Sequence, residues 1–482
     1  MQPSPTTSKA SQIISRQDRI PIWALSYLFI GIIGTGFLFT FYDIFNINVS
    51  FIQTCVAIIS GCNSPADAAK FIGLPVLLNL AGYVVGTTIL SPLSDRYGRR
   101  NMLLITLVIT GLGSLYNAFA TDYSSFILAR ALTGIGVGAD LAIVNTYISE
   151  VAPKNGRARY TSLVFVFAAL GGFLGIWLGL LLTTSPAAFP LGLPFALGNS
   201  GAMPQIGWRV VYAFGAILAL VGILLRFNLP ESPRWLISIG RVDEAEQIVR
   251  AMESKAVAKL RVLPPVSDVV EVASNIKPVP YSEILSNKLY RRRTVVLLLV
   301  WLIGYMTIYS VSAGLTSLLT TMSFSPPEAG MIAAFGTIGF VGAAVFASLF
   351  GDRLERKYWL PIAAIITLLG SVLISQQRGG FWLAVAGSTI LFFGLDLWVP
   401  ITYSWSAESF PTRARATGFA LVDGVGHIGG GVGVILVAAL ASSGTFSVLE
   451  VFLIIASFQI VSSVIAQVGS RTMGEKLDKI SP

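Results

Sequence analysis

Ionisable side chains that stand within otherwise apolar stretches of the chain include Asp43, Arg130, Asp140, Asp396, Asp423 and His427. A charge at membrane depth is costly, so each of these groups must be paired, neutralised or turned toward water. A carboxylate beside an arginine stays ionised; with the arginine withdrawn and no water near, it takes a proton. An acid–arginine pair can therefore tie proton binding to a movement. Asp423 and His427 lie four apart and share a helical face. They either satisfy each other or offer a protonated imidazole that offsets an anion. Asp396, Trp398 and Tyr403 add an acid and two aromatic rings in the same half of the chain.

The elements that must hold these groups follow from composition. Of 482 residues 54% are hydrophobic and only 12% charged, against roughly a quarter charged in soluble proteins. With a mean hydropathy of +0.74, a disordered chain is excluded and a soluble enzyme disfavoured. Spans of about 20 residues fit an all-α membrane protein. Twelve are expected, near 22–52, 71–93, 101–120, 124–150, 160–184, 209–229, 294–320, 327–350, 358–376, 381–407, 416–441 and 446–469. This divides the chain into an amino-terminal tail (1–21), a six-helix bundle (22–229), a linker (230–293), a second bundle (294–469) and a tail (470–482). Arg130 lies roughly 9 Å below the outer start of the fourth span, and Asp43 about 31 Å up a long first span. Their depths overlap, which predicts an Asp43–Arg130 pair.

Basic residues fix the expected topology. Almost all fall in the two tails and in alternate loops, whereas Lys70, Arg209 and Arg378 fall on the other side and Arg130 and Arg226 within spans. This bias predicts both termini in the cytoplasm of a multi-pass cell-membrane protein. Basic loops beside anionic headgroups account for the +9 net charge without nucleic acid. The first 20 residues carry no signal-peptide pattern, so the first span is expected to be retained. Cys55 and Cys62 bond if the segment after the first span is irregular. If it stays helical, their rise of about 10.5 Å is too great. With no other cysteine and one histidine, neither a metal site nor a cofactor is expected.

The chain also repeats. Asp95-Arg96-Tyr97-Gly98-Arg99-Arg100 returns as Asp352-Arg353-Leu354-Glu355-Arg356-Lys357, and Glu150-Val-Ala-Pro153 with Arg157 returns as Glu408-Ser-Phe-Pro411 with Arg415, at offsets of 257 and 258. Two charged patterns at one offset predict two pseudo-symmetric halves. Together with Pro230-Glu231-Ser232-Pro233-Arg234-Trp235-Leu236 and Arg130-x-x-x-Gly134-x-Gly136-x-Gly138, these motifs resemble the major facilitator superfamily, in particular its sugar-porter branch. Ser91 stands where that family's loop usually has glycine, and so does Glu355 in the second copy. The resemblance implies proton coupling through a first-span Asp, here Tyr42-Asp43, and the fourth-span Arg130. It also implies transport by alternating access.

Asp140 follows a glycine-rich run similar to that of the phosphate:proton symporter branch. The resemblance implies a second proton carrier or a substrate contact there; Arg130, ten residues away, is not its obvious partner. That branch's seventh-span Trp, Asp and Tyr fall at Trp301, Tyr305 and Tyr309, and its substrate lysine at His427. Sugar porters carry a glutamine where this chain has Phe165, and their seventh-span amides are missing between Leu297 and Thr320. Sugar hydroxyls need several side-chain donors and acceptors. The expected substrate set is Asp140, Trp301, Tyr305, Tyr309, Asp396, Trp398, Tyr403, Asp423 and His427.

On the inner face, Asp95, Arg96, Arg99, Glu150 and Arg157 with Asp352, Arg356, Glu408 and Arg415 are expected to form a clasp that makes and breaks as the lobes rock. Arg100 and Lys357 are read as topological charges. Trp235–Met252 has the spacing of amphipathic helices. These readings converge on a monomeric transporter moving a small polar metabolite, an organic acid or other anion first, with protons. A sugar or polyol carrier, a drug exporter and a transporter-like receptor are the alternatives. No nucleophile–base set argues for an enzyme, and no phosphate-binding loop for an ATP-driven pump.

Overall fold

Lipid offers no partner to backbone N–H and C=O groups, so so apolar a chain must satisfy them within helices. The computed structural model describes residues 5–153, 157–266, 281–322, 324–376, 380–410 and 415–473, and every regular element among them is helical. Among the described residues, twelve helices are long and apolar enough to cross a bilayer: Tyr27–Phe45, Pro65–Tyr97, Arg99–Phe119, Tyr123–Ile148, Arg159–Thr183, Met203–Arg226, Lys288–Ser312, Pro326–Phe350, Arg356–Ile374, Gly380–Glu408, Thr417–Ser442 and Val448–Ala466. They are the twelve expected spans. Several starts are fixed by side chains that close otherwise orphaned N–H groups, as Asp122 does with Ser125, Ser325 with Glu328 and Ser447 with Glu450.

Packing shows the duplication directly. In the first half the first span lies on the fifth, the third on the fourth and sixth, and the second on the fourth. In the second half the seventh lies on the eleventh, the ninth on the tenth and twelfth, and the eighth on the tenth. The two lobes meet where the second span packs on the eleventh and the fifth on the eighth. Gly134 and Gly138 let the fourth span approach the second so closely that a Cβ on either would strike the backbone of Asn79 or Tyr83.

Two local outcomes depart from or decide the sequence reading. Past Phe45 the first span runs on through Asn46 into a helix Ile47–Ile58, then turns at Gly61, whose φ of +94° suits glycine. That turn brings Cys62 back to Cys55, with Cα atoms 5.8 Å apart in a disulfide. The amino-terminal segment is not a bare tail: Pro5–Asp18 is a helix. Its Ala10, Ile13 and Ile14 are buried against Trp235, Leu236 and Val249 of the linker, and that short stripe explains its order. The linker itself forms helices Pro233–Ser238 and Val242–Leu260.

Candidate functional site

The first span presents Asp43 to the interior of its own lobe. Arg130 Nη1 donates to Asp43 Oδ2 at 3.2 Å and to its backbone carbonyl at 3.1 Å, and Ser114 Oγ donates to Oδ1 at 2.9 Å. Both charged side chains are 1% exposed. The overlap of depths thus brings the expected pair together, with the third-span Ser114 as an unforeseen member.

Asp140 finds a partner that the sequence reading did not assign. Arg226, the last residue of the sixth span, donates to Asp140 Oδ2 at 2.9 Å and also bonds Oδ1; Thr106 Oγ1 donates to Oδ1 at 2.8 Å. The same guanidinium donates to the Leu103 carbonyl at 2.7 Å. Both residues are fully buried. Gly36 of the first span makes room, since a Cβ there would overlap the guanidinium. Asp140 therefore faces the third and sixth spans inside the first lobe rather than the aromatic centre, a correction to its place in the expected substrate set. The available signal was two in-span charges of opposite sign, each lacking a partner.

Where the lobes meet, the remaining expected residues converge. Tyr83 Oη donates to Asp423 Oδ2 at 2.9 Å and Tyr305 Oη to Oδ1 at 2.6 Å; Tyr403 Oη lies 3.3 Å from Tyr305 Oη. His427 Nδ1 is 2.7 Å from the Asp423 carbonyl oxygen and therefore carries the donated proton. Its ring is centred 3.6 Å from that of Tyr83, 4.0 Å from Tyr305 and 5.8 Å from Tyr309. Trp301 sits 4.8 Å from Tyr305 and 4.9 Å from both Trp398 and Tyr403, with Nε1 donating to Ser406 Oγ at 2.9 Å. Phe165 closes the group 5.0 Å from Tyr403. Such a cluster presents planar rings for stacking and carries few amide donors. Tyr83 was missed because nothing in its own apolar surroundings distinguishes it. Asp396 is not part of the cluster: it is fully buried, and neither oxygen has a hydrogen-bond partner among the described residues.

At the loops that carry Asp95 and Asp352, the described members of the expected clasp form two separate triads. Asp95 and Glu150 hold Arg99 at 2.6 and 2.9 Å, while Asp352 and Glu408 hold Arg356 at 2.8 and 3.1 Å. Each triad joins consecutive spans of one lobe because its Asp and Arg flank one helix start and its Glu stands at the end of the next helix. Arg96 lies outside the triads, its guanidinium 5.4 Å from the Tyr97 ring. The side chains of Arg157 and Arg415 lie outside the described residues. Arg100 and Lys357 are more than topological. Arg100 donates to the Phe227 carbonyl at 2.5 Å, and Lys357 to those of Gln467 and Gly469 at 2.9 Å, so each closes the end of its lobe's last span. Glu355 accepts from Arg356, Thr472 and Met473 N–H groups. Glu231 does the same for Arg99 and Arg100 in the first lobe, and burial holds its carboxyl above the usual range. At the opposite face Asn48 bridges the lobes, donating to the Val311 and Ser312 carbonyls at 3.0 and 2.7 Å.

Two six-helix lobes enclosing buried acids and an aromatic centre are the major facilitator fold, and the chain is a transporter, not an enzyme. The chain belongs to the family described as sugar (and other) transporter, whose model matches residues 28–481. It is 27% identical to the niacin transporter NiaP of Acinetobacter baylyi, over 97% of this chain and 99% of that one. It is likewise 27% identical to an arabinose-proton symporter of Bacillus subtilis, over 73% and 74% of the two chains. Its fold is similar to that of the proton:xylose symporter XylE of E. coli, with a TM-score of 0.72 at 18% identity over 94% and 98% of the chains.

Proposed function

We propose that this protein carries a small organic acid across the cell membrane together with protons, as a monomer, by alternating exposure of its centre. The Asp43–Arg130 pair is the observation that carries this reading. Arg130 and Ser114 satisfy an ionised Asp43; a helix movement that withdraws Arg130 strands the carboxylate in apolar surroundings, where it takes a proton. Proton binding and lobe movement are then one equilibrium. A relative whose name includes proton symport supports this.

Ring stacking around Trp301, Tyr305, Tyr403 and His427 suits a planar acid better than a polyhydroxylated sugar, and a niacin transporter among the relatives agrees. A pentose is the second reading, favoured by the family model and the arabinose relative. The basic loops and both tails lie in the cytoplasm, and the Cys55–Cys62 bond lies on the oxidising side. The two Arg-centred triads keep each lobe rigid, so that the lobes rock rather than deform.

Proteoliposomes supplied with labelled nicotinate or arabinose, with and without an inward proton gradient, test the proposal. Gradient-dependent accumulation of nicotinate and not arabinose is expected. Accumulation of arabinose alone would move the assignment to sugars, and gradient-independent equilibration would remove proton coupling.

A further inference from the structure

Asp423 differs from Asp43 and Asp140 in having no lysine or arginine partner among the described residues. Its neighbours are phenols and one imidazole, contributed by every element that packs on its turn of helix. Tyr83 comes from the second span, Tyr305 and Tyr309 from the seventh, Tyr403 from the tenth and His427 from its own. A buried carboxylate without a cation relies on hydrogen-bond donors to remain ionised. Here the two direct donors belong to different lobes: Tyr305 moves with Asp423, whereas Tyr83 reaches across from the other lobe.

Local backbone form supports a built contact. The segment Ala420–Gly424, which contains Asp423, is a π-turn, and so is Gly86–Leu90 just beyond Tyr83. These wider turns face each other across the lobe boundary, where a Cβ on Gly424 would come 2.9 Å from Thr87. Such turns occur frequently at functional positions. The first lobe aims a phenol, and the second a carboxylate, at the same point.

We propose that Asp423 is a second proton-binding carboxylate, set in the aromatic cluster where the lobes meet, whose ionised form latches the lobes through Tyr83 and whose protonation loosens them. The ionised group accepts from both phenols. A proton on the carboxyl removes its charge, so the charge-assisted bond from Tyr83 becomes a neutral one of roughly half the strength and the cross-lobe contact is weakened. By linkage, lobe separation at this point favours proton uptake to the same extent that protonation favours separation. This goes beyond coupling at Asp43 and does not depend on which solute is carried.

The test uses the full chain in detergent without substrate. Nitroxides on Tyr97→Cys and Leu354→Cys, exposed on the two lobes' loops, report lobe separation by double electron–electron resonance. The native cysteines remain bonded and unlabelled. In an Asp43→Asn background, the separation is expected to change between about pH 5 and about pH 8. Adding Asp423→Asn should abolish that change. Tyr83→Phe, which keeps the ring and removes only the cross-lobe donor, should abolish it as well, and decides the matter if the Asp423 variant fails to fold. No pH-dependent change in the Asp43→Asn protein, or a change that survives Tyr83→Phe or Asp423→Asn, would overturn the proposal.

Discussion

Inside the first lobe a buried arginine and a buried acid are each costly alone and tolerable together. Removing one partner of such a pair costs about 3–5 kcal/mol, because the other charge is left stranded. Arg226→Met is therefore expected to lower thermal stability sharply, and adding Asp140→Leu to recover much of the loss; equal damage from the single and double variants would deny that the pair is the reason. Gly36→Ala is expected to cost about 1–3 kcal/mol by crowding the same guanidinium, read as a lowered unfolding midpoint. The Asp43–Arg130 pair was legible because a helix's rise converts sequence position into depth, and depth alone sufficed to match the two. The Asp140–Arg226 pair was not. Its three spans meet at angles that no single helix encodes, and Arg226 reaches back from the very end of its own.

Among the helices, the one at the amino terminus shows how a few charges can dock an element that hydropathy alone leaves as a tail. Lys9 pairs with Asp243 and Glu246 at 2.7 and 3.0 Å, Arg16 and Arg19 grip Glu253 at 2.5 and 2.6 Å, and Arg234 holds Asp18 at 2.6 Å. Gln17 donates to the Glu150 carbonyl at 2.7 Å and so ties the strap to the fourth span. Hydrogen bonds from Lys9 and Arg250 bring the Glu246 carboxyl down to about 2. Burial disfavours an ionised Glu253, yet Arg16 and Arg19 outweigh it and hold that group low as well. A depressed carboxylate contributes stability above its unfolded value of about 4.3. That contribution falls away as pH drops toward about 2. Amide exchange over Pro5–Asp18 is accordingly expected to quicken below about pH 4 and at high salt; rates indifferent to both would show that Ala10, Ile13 and Ile14 alone hold the helix. The same logic applies to the triads. Glu150→Ala or Glu408→Ala should loosen exchange at the ends of its own lobe's spans while leaving the other lobe unchanged.

Across the whole molecule, the duplicated motifs made two lobes legible, since matched charged patterns at one offset require matched surroundings. Which residues meet between the lobes was not legible. Tyr83 and Asp423 are 340 positions apart, and only the packing of the second span on the eleventh joins them. The described members of the expected clasp pair within each lobe, while Asn48 at one face and the Tyr83–Asp423 contact at the centre are among the contacts that cross between lobes. In the proposed function, protons couple to movement through the Asp43–Arg130 charge pair within one lobe. The most direct measurement compares wild type with Asp43→Asn in proteoliposomes, following labelled nicotinate both in counterflow and under an imposed proton gradient. The account predicts that the variant retains counterflow and loses gradient-driven accumulation; accumulation that still follows the gradient in Asp43→Asn would contradict it.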